Sequence, residues 1–225
     1  MPQPSRPLLQ PRKSPIQARS TASVAAILEA TIQVLLHVGK ERLTTTRVAA
    51  RAGVSVGTLY QYFPNKSALL QAALKHHLEE VAQAIELVCR QQRGHSLEQM
   101  ATALITAFLD AKMKNVKTSA ALYAVSSDVD ALKIVQQIGT RSNKAIIEML
   151  QSSSEQLTTD PQLVASMLQG AMVGVSRRIL ESSSPEKHFD SMRPELIFFA
   201  STYLNACSAR HAAQRTGTSK VRKSA

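Results

Sequence analysis

The chain has no tryptophan, and only 8 glycines, 9 prolines and 4% aromatic residues in 225 positions. Strands and hairpins draw on aromatic, β-branched and glycine-rich segments, so this scarcity, with the abundance of Ala, Leu, Gln and Ser, favours an all-helical chain over a sheet protein. Cysteine is scarce too. Cys89 and Cys207 lie far apart and share no ligand-type spacing with histidine, which leaves no disulfide framework and no structural zinc site. His76 and His77 are adjacent, not four apart, so they point to different parts of a helix surface and do not make a metal pair. No metal and no cofactor are expected. No apolar run approaches the ~18–20 residues needed to cross a bilayer, and the N-terminus lacks a signal-type apolar core. The expected location is therefore the cytoplasm, with no membrane partner. No nucleophile, base and orienter set is evident, so enzymatic chemistry is not expected.

Acidic residues are the other shortage: 16 Asp and Glu stand against 27 Lys and Arg, for a net charge of +11. The excess is local. Arg6, Arg12, Lys13 and Arg19 at one end and Arg210, Arg215, Lys220, Arg222 and Lys223 at the other contribute +9 without an acid, residues 20–66 contribute +3, and residues 67–204 carry −1. A basic segment joined to a near-neutral body is the electrostatic pattern of a nucleic-acid reader confined to one end. Five prolines fall in the first fifteen residues, a composition that does not nucleate helix. Arg12, Lys13 and Arg19 would be either solvated or in contact with phosphates.

Residues 43–66, LTTTRVAARAGVSVGTLYQYFPNK, are the most informative stretch. Thr44 precedes the apolar-periodic Val48, Ala49 and Ala52 and can cap a first helix, which Gly53 can stop in the left-handed conformation. Ser55 can cap a second helix over Val56 to Phe63, which Pro64 blocks from continuing. Ala49, Ala52, Val54, Leu59 and Phe63 would lock the pair. Val56, Gly57, Thr58, Tyr60, Gln61 and Tyr62 remain outward, small and hydrogen-bonding side chains suited to a major groove.

In residues 20–72, the run Ala52, Gly53, Val54, Ser55, then Gly57, Thr58, Leu59, Tyr60, then Tyr62, Phe63, then Asn65, Lys66 resembles the DNA-binding region of the TetR family of bacterial transcriptional regulators. The resemblance implies an all-α, nine-helix architecture with an N-terminal helix-turn-helix domain and a C-terminal helical domain for ligand binding and dimerisation. Beyond residue 75 it rests on helix count and hydropathy, not on motif. It implies phosphate contacts by Lys66, Tyr60 and Tyr62 and a DNA-facing edge at Thr45, Thr46 and Arg47. From its chemistry, Arg47 could read guanine or clamp the backbone. Ser55, Val56, Gly57, Thr58 and Gln61 complete the candidate interface, Thr58 and Gln61 as base readers, Val56 against a thymine methyl, and Gly57 for close approach.

The remaining pattern predicts helices over about 20–37, which Gly39 ends, 66–90, 96–115, 116–127, 128–151, with Leu132, Val135, Ile138, Ile146 and Leu150 facing inward, 161–181 and 189–208. The long one after Asn65 would carry signals between reader and body. The chain is expected to divide into a tail (1–19), a reader (20–66), a regulatory body (67–208) and a second tail (209–225). Phe108, Met113, Leu122, Tyr123, Ser126, Ile134, Ile138 and Met167 are candidate linings for an apolar effector pocket. One reader makes few contacts, so a twofold dimer on a palindrome is expected. Its candidate interface is Leu168, Gly170, Ala171, Met172, Gly174 and Val175 with Leu196, Phe199 and Tyr203, since relatives pair these two helices into a four-helix interface. The resulting expectation is a regulator, by family habit a repressor, that binds a double-stranded operator and answers a small-molecule effector. A non-specific structural DNA binder and a helical enzyme are the alternatives.

Overall fold

The computed structural model describes residues 18–126 and 131–208. The expected tails, with Arg12 and Lys13, the side chain of Arg19, and the helix start expected at Asp128 lie outside the described residues. Among the described residues the chain is all-helical: α1 (Ala18–Arg42), α2 (Thr45–Ala52), α3 (Val56–Tyr62), α4 (Lys66–Gln91), α5 (Leu97–Met113), α6 (Val116–Ala124), α7 (Leu132–Gln151), α8 (Pro161–Leu180) and α9 (Pro185–Ala206).

Capping explains most of these boundaries. Thr44 Oγ1 accepts the Arg47 amide at 3.2 Å, Ser55 Oγ accepts that of Thr58 at 2.9 Å, and Asn65 Oδ1 accepts that of Ala68 at 2.8 Å. Each satisfies a first-turn N–H that has no partner within its helix. Gly53 closes α2 with φ 68°, in the left-handed region. Ser96 and Gln99 form a reciprocal capping box on α5. Asp160 followed by Pro161 opens α8, since a proline at the first helical position forfeits no hydrogen bond.

Three expectations change. Gly39, expected to end the first helix, interrupts it at φ 75°, and a further turn runs on to Arg42. The last helix begins at Pro185, about one turn before the expected Phe189, because Pro185 takes a first-turn position. Leu132 and Val135, expected to face inward, are exposed. The expectation that no segment approaches membrane-spanning length is also corrected: Ser20–Arg42 passes by length and composition. Its Ile27, Leu28, Ala30, Val34 and Leu35 are buried in a protein core instead.

The chain forms two compact units. The first comprises residues up to Glu79 together with Lys117–Gln136. Its core joins Ile27, Val34 and Leu35 of α1 to Val48, Ala49, Leu59, Phe63, Leu69 and Leu74, and Leu122 and Val125 complete it. Buried His77 is hydrogen-bonded to buried Ser119 Oγ at 3.0 Å, a polar tie between α4 and α6.

The second unit comprises Glu80–Val116 and the residues from Gln137 onward. Here α5 packs against α8 and α9, with Leu97, Met100, Leu104, Ile105 and Leu109 fully buried. Arg193 bridges to Asp110 at 2.6 Å, Arg93 to Glu148 at 2.5 Å, and Arg141 pairs with Glu86. These pairs are partly exposed, so each is worth at most ~1 kcal/mol, and apolar packing dominates. The Thr158 amide donates to the Cys207 carbonyl at 2.7 Å and holds the loop before α8 against the end of α9.

Candidate nucleic-acid interface

The face of α3 follows from its phase. Leu59 and the following Phe63 are buried, and Tyr62 packs against the same core with its ring 6.5 Å from that of Phe63. At about 100° per residue, the line opposite Leu59 carries Gly57 and Gln61, one turn apart, flanked by Thr58 and Tyr60. Gly57, Tyr60 and Gln61 are exposed, and Val56, Thr58 and Tyr62 are half-buried. A Cβ on Gly57 would meet only Ser55 Oγ, at an ordinary 3.7 Å, so the fold itself does not demand glycine there.

Hydroxyl groups stiffen this face. Thr58 Oγ1 is bonded to Ser55 Oγ at 2.8 Å, and Thr45 Oγ1 to Tyr60 Oη at 3.0 Å, which ties the start of α2 to α3. The Gln61 side chain makes no hydrogen bond to the described residues, so its amide is available to a partner. The structure thus brings Ser55, Val56, Gly57, Thr58, Tyr60 and Gln61 onto one short helix and its cap, with Thr45 beside them. Tyr62 is turned partly into the core.

Arg47 and Arg51 stand one turn apart on α2, both exposed. Arg47 donates to the Arg42 carbonyl at 2.7 Å, and Arg51 donates through Nε to Gln33 Oε1 at 2.6 Å. Both acceptors are neutral, so the guanidinium groups are oriented while their charge persists. With Gln33, Val34, His37 and Val38 they line a cleft of about 610 Å³ between α1 and α2. Thr46, also exposed, lies on the same N-terminal edge. Lys66 also has a partner within the chain. Its ammonium is half-buried and donates to the Lys40 carbonyl, tying the start of α4 to the last turn of α1. A lysine ammonium has three donors, so this bond leaves capacity for a phosphate.

The expected interface on α8 and α9 divides by burial. Leu168, Met172 and Leu196 are buried within the protomer, so these three fill its core rather than a shared surface. Gly170, Gly174 and Phe199 are exposed, and Ala171, Val175 and Tyr203 are half-buried. Leu163, Met167, Val173 and Phe198 are exposed on the same two helices, Phe198 being 68% exposed. On α8 the apolar and glycine positions Leu163, Met167, Gly170 and Gly174 recur at alternating steps of four and three, the spacing of one continuous helix face.

The eight candidate pocket residues are not gathered by either unit. Leu122 is buried in the core of the first unit, whose α6 end also carries half-buried Tyr123 and Ser126, with Ser126 Oγ donating to the Tyr123 carbonyl at 2.7 Å. Ile134 is half-buried in that unit. In the second unit Phe108 and Ile138 are buried, Met113 is half-buried and Met167 is exposed on α8. A shallow groove of the second unit is lined by other residues, among them Val88, Gln92, Gln99, Thr102, Thr106 and Asp110.

Two ionisable groups there are displaced by burial. Desolvation lowers the Lys112 ammonium to about 8. Burial, with Glu86 adding to it against Arg93 and Arg90, raises the Cys89 thiol to about 12, which makes it a poor nucleophile. Among the described residues no group of three or more His, Cys, Asp or Glu could hold a metal ion.

Two family models match the chain. Residues 27–73 match the model described as bacterial regulatory proteins, tetR family, and residues 96–204 match the tetracyclin repressor-like C-terminal domain. The HTH-type transcriptional regulator BetI of Serratia proteamaculans is 29% identical over 118 residues, which cover 51% of this chain and 60% of BetI. The nucleoid occlusion factor SlmA of Salmonella paratyphi B is 23% identical over 164 residues, 69% of this chain and 83% of SlmA. The solved structure of a regulator assigned to the TetR family from Mesorhizobium loti superimposes with a TM-score of 0.66 at 21% identity, covering 84% of this chain and 96% of its own.

Proposed function

Because this chain belongs to the TetR family of bacterial transcriptional regulators, we propose that it is a cytoplasmic, ligand-responsive repressor that binds a palindromic operator as a homodimer. Membership makes it a DNA-binding regulator and not an enzyme. The reading is carried by the face of α3. Its outward line offers an open glycine and an available glutamine, and cationic side chains flank it on α2 and at the start of α4. Arg47 and Lys66 would hold phosphates with help from Thr45, Thr46 and Tyr60, while α3 enters the major groove. Phosphate contacts fix position, and base edges decide sequence.

The homodimer is supported by the exposed apolar residues of α8 and α9 in the second unit. Leu163, Met167, Gly170 and Gly174 on α8 and Phe198, Phe199 and Tyr203 on α9 form a surface that is apolar enough to need a cover. A second copy would supply the same two helices and close a four-helix interface. The effector is proposed to be a small, mainly apolar molecule held by the helices that match the tetracyclin repressor-like model. It would release DNA by binding better to a state that binds DNA worse, and the release can be no larger than that difference in affinity.

The test is selection of duplexes from a random pool by the purified protein, followed by competition with unrelated duplex. Recovery of two inverted half-sites supports the proposal. Equal competition by unrelated duplex would replace it with a sequence-blind DNA binder.

A further inference from the structure

We infer that Gln61 is the sequence-deciding residue of α3 and reads an adenine in each operator half-site, with Gly57 providing the clearance that lets the base edge reach it. This rests on the DNA-binding reading above and adds a base identity to it.

The inference comes from what each side chain on the outward face has left to offer. The Thr58 hydroxyl is engaged with Ser55 Oγ at 2.8 Å, and the Tyr60 hydroxyl with Thr45 Oγ1 at 3.0 Å. Each pair shares one hydroxyl hydrogen and fixes both oxygens, so Thr58 and Tyr60 each offer one hydroxyl that is already oriented by its own chain, while half-buried Val56 packs against the core. Gln61 alone on this face has a complete amide, with donor and acceptor side by side and no bond to the described residues. That pair matches adenine, whose N6 donates and N7 accepts in the major groove. The half-site should therefore carry an A·T pair where Gln61 meets it.

Gly57 is the second, independent observation. Glycine is a poor helix former, yet nothing within the chain requires it at this position. Its φ is not in the left-handed region, and an added Cβ would make only an ordinary contact with Ser55 Oγ at 3.7 Å. In the DNA-binding reading, a bare position here lets the groove approach the helix closely. Gly57 lies one turn before Gln61 on the same line, where a side chain would hold a groove floor away from the amide.

The experiment selects duplexes from a random pool with the full chain and with Gln61→Ala, Gln61→Glu and Gly57→Ala, and follows each by binding titration and thermal melting. The expected result is an adenine at one half-site position for the natural chain, discriminated by ~10-fold or more. Gln61→Ala should lose preference at that position alone, and Gln61→Glu should shift it toward cytosine, whose N4 donates. Gly57→Ala should melt at the same temperature or higher while binding the selected duplex more weakly. Selection with an unchanged preference in Gln61→Ala, or full affinity in Gly57→Ala, overturns the inference and leaves the DNA-binding reading intact. No selection by the natural chain overturns both.

Discussion

Lys112 sits on α5 with 8% of its surface exposed, among residues that are mostly apolar. Burial disfavours the ammonium and lowers its pKa from 10.5 to about 8. Between these two values the unfolded chain still holds the proton that the folded chain has released, so stability rises with pH across that window. Below about 8 both states are protonated and the dependence vanishes. Lys112→Met, which keeps the length and removes the ionisation, is expected to remove that rise, so that the difference in stability between the two proteins changes between pH 7 and 9.5. Urea denaturation of both proteins at pH 7 and 9.5 measures this, and a pH-independent difference would show that the charge is not what matters. Lys66 illustrates the opposite use of a lysine. Its ammonium satisfies the Lys40 carbonyl near the break at Gly39, so its loss should lower stability as well as any phosphate binding.

At the scale of elements, the short helices α2 and α3 persist through their ends. With 8 and 7 residues they are far below the length at which an isolated helix is stable, so caps and core contacts must hold them. The caps are Thr44, Gly53 and Ser55, and Val48, Ala49, Leu59 and Phe63 supply the packing. Helices α8 and α9 pose a different problem, since each is apolar on two faces. One face of α8 carries buried Val164, Ala165, Leu168 and Met172, and the other exposes Leu163, Met167 and Val173. A charge placed on the exposed face should separate copies without disturbing the inner face. Phe198→Glu is expected to keep the helical circular dichroism and to halve the solution mass from about twice 24.5 kDa to that of one chain. Light scattering on a size-exclusion column decides this. An unchanged mass would place the contact between copies elsewhere.

For the molecule as a whole, the distribution of charge matters more than its total. The +11 is carried by the terminal segments and residues 20–66, while residues 67–204 are close to neutral. Affinity for DNA should therefore fall steeply with salt, because each phosphate neutralised releases counterions. With 6–10 phosphate contacts across a dimer, raising salt from 50 to 200 mM should weaken binding by ~10³–10⁵-fold. A fluorescence anisotropy titration at several salt concentrations gives the slope. A slope near zero would mean that few phosphates are engaged and would remove the electrostatic basis of the reading.

What the sequence determined by itself was local. Thr44, Ser55 and Asn65 cap helices whose first turns lie within three residues of them, and Gly53 takes a left-handed conformation that needs no distant partner. Interactions of this range can be read from spacing, and so could the reader segment and the all-helical class. The tertiary structure decided which of two apolar faces on α8 and α9 turns inward, burying Leu168, Met172 and Leu196 and leaving Met167 and Phe198 outside. It also decided that Lys66 reaches back to Lys40 and that Lys112 is enclosed. Periodicity marks a face as apolar but not what covers it. The cover comes from helices remote in sequence, and only their packing chooses between the faces.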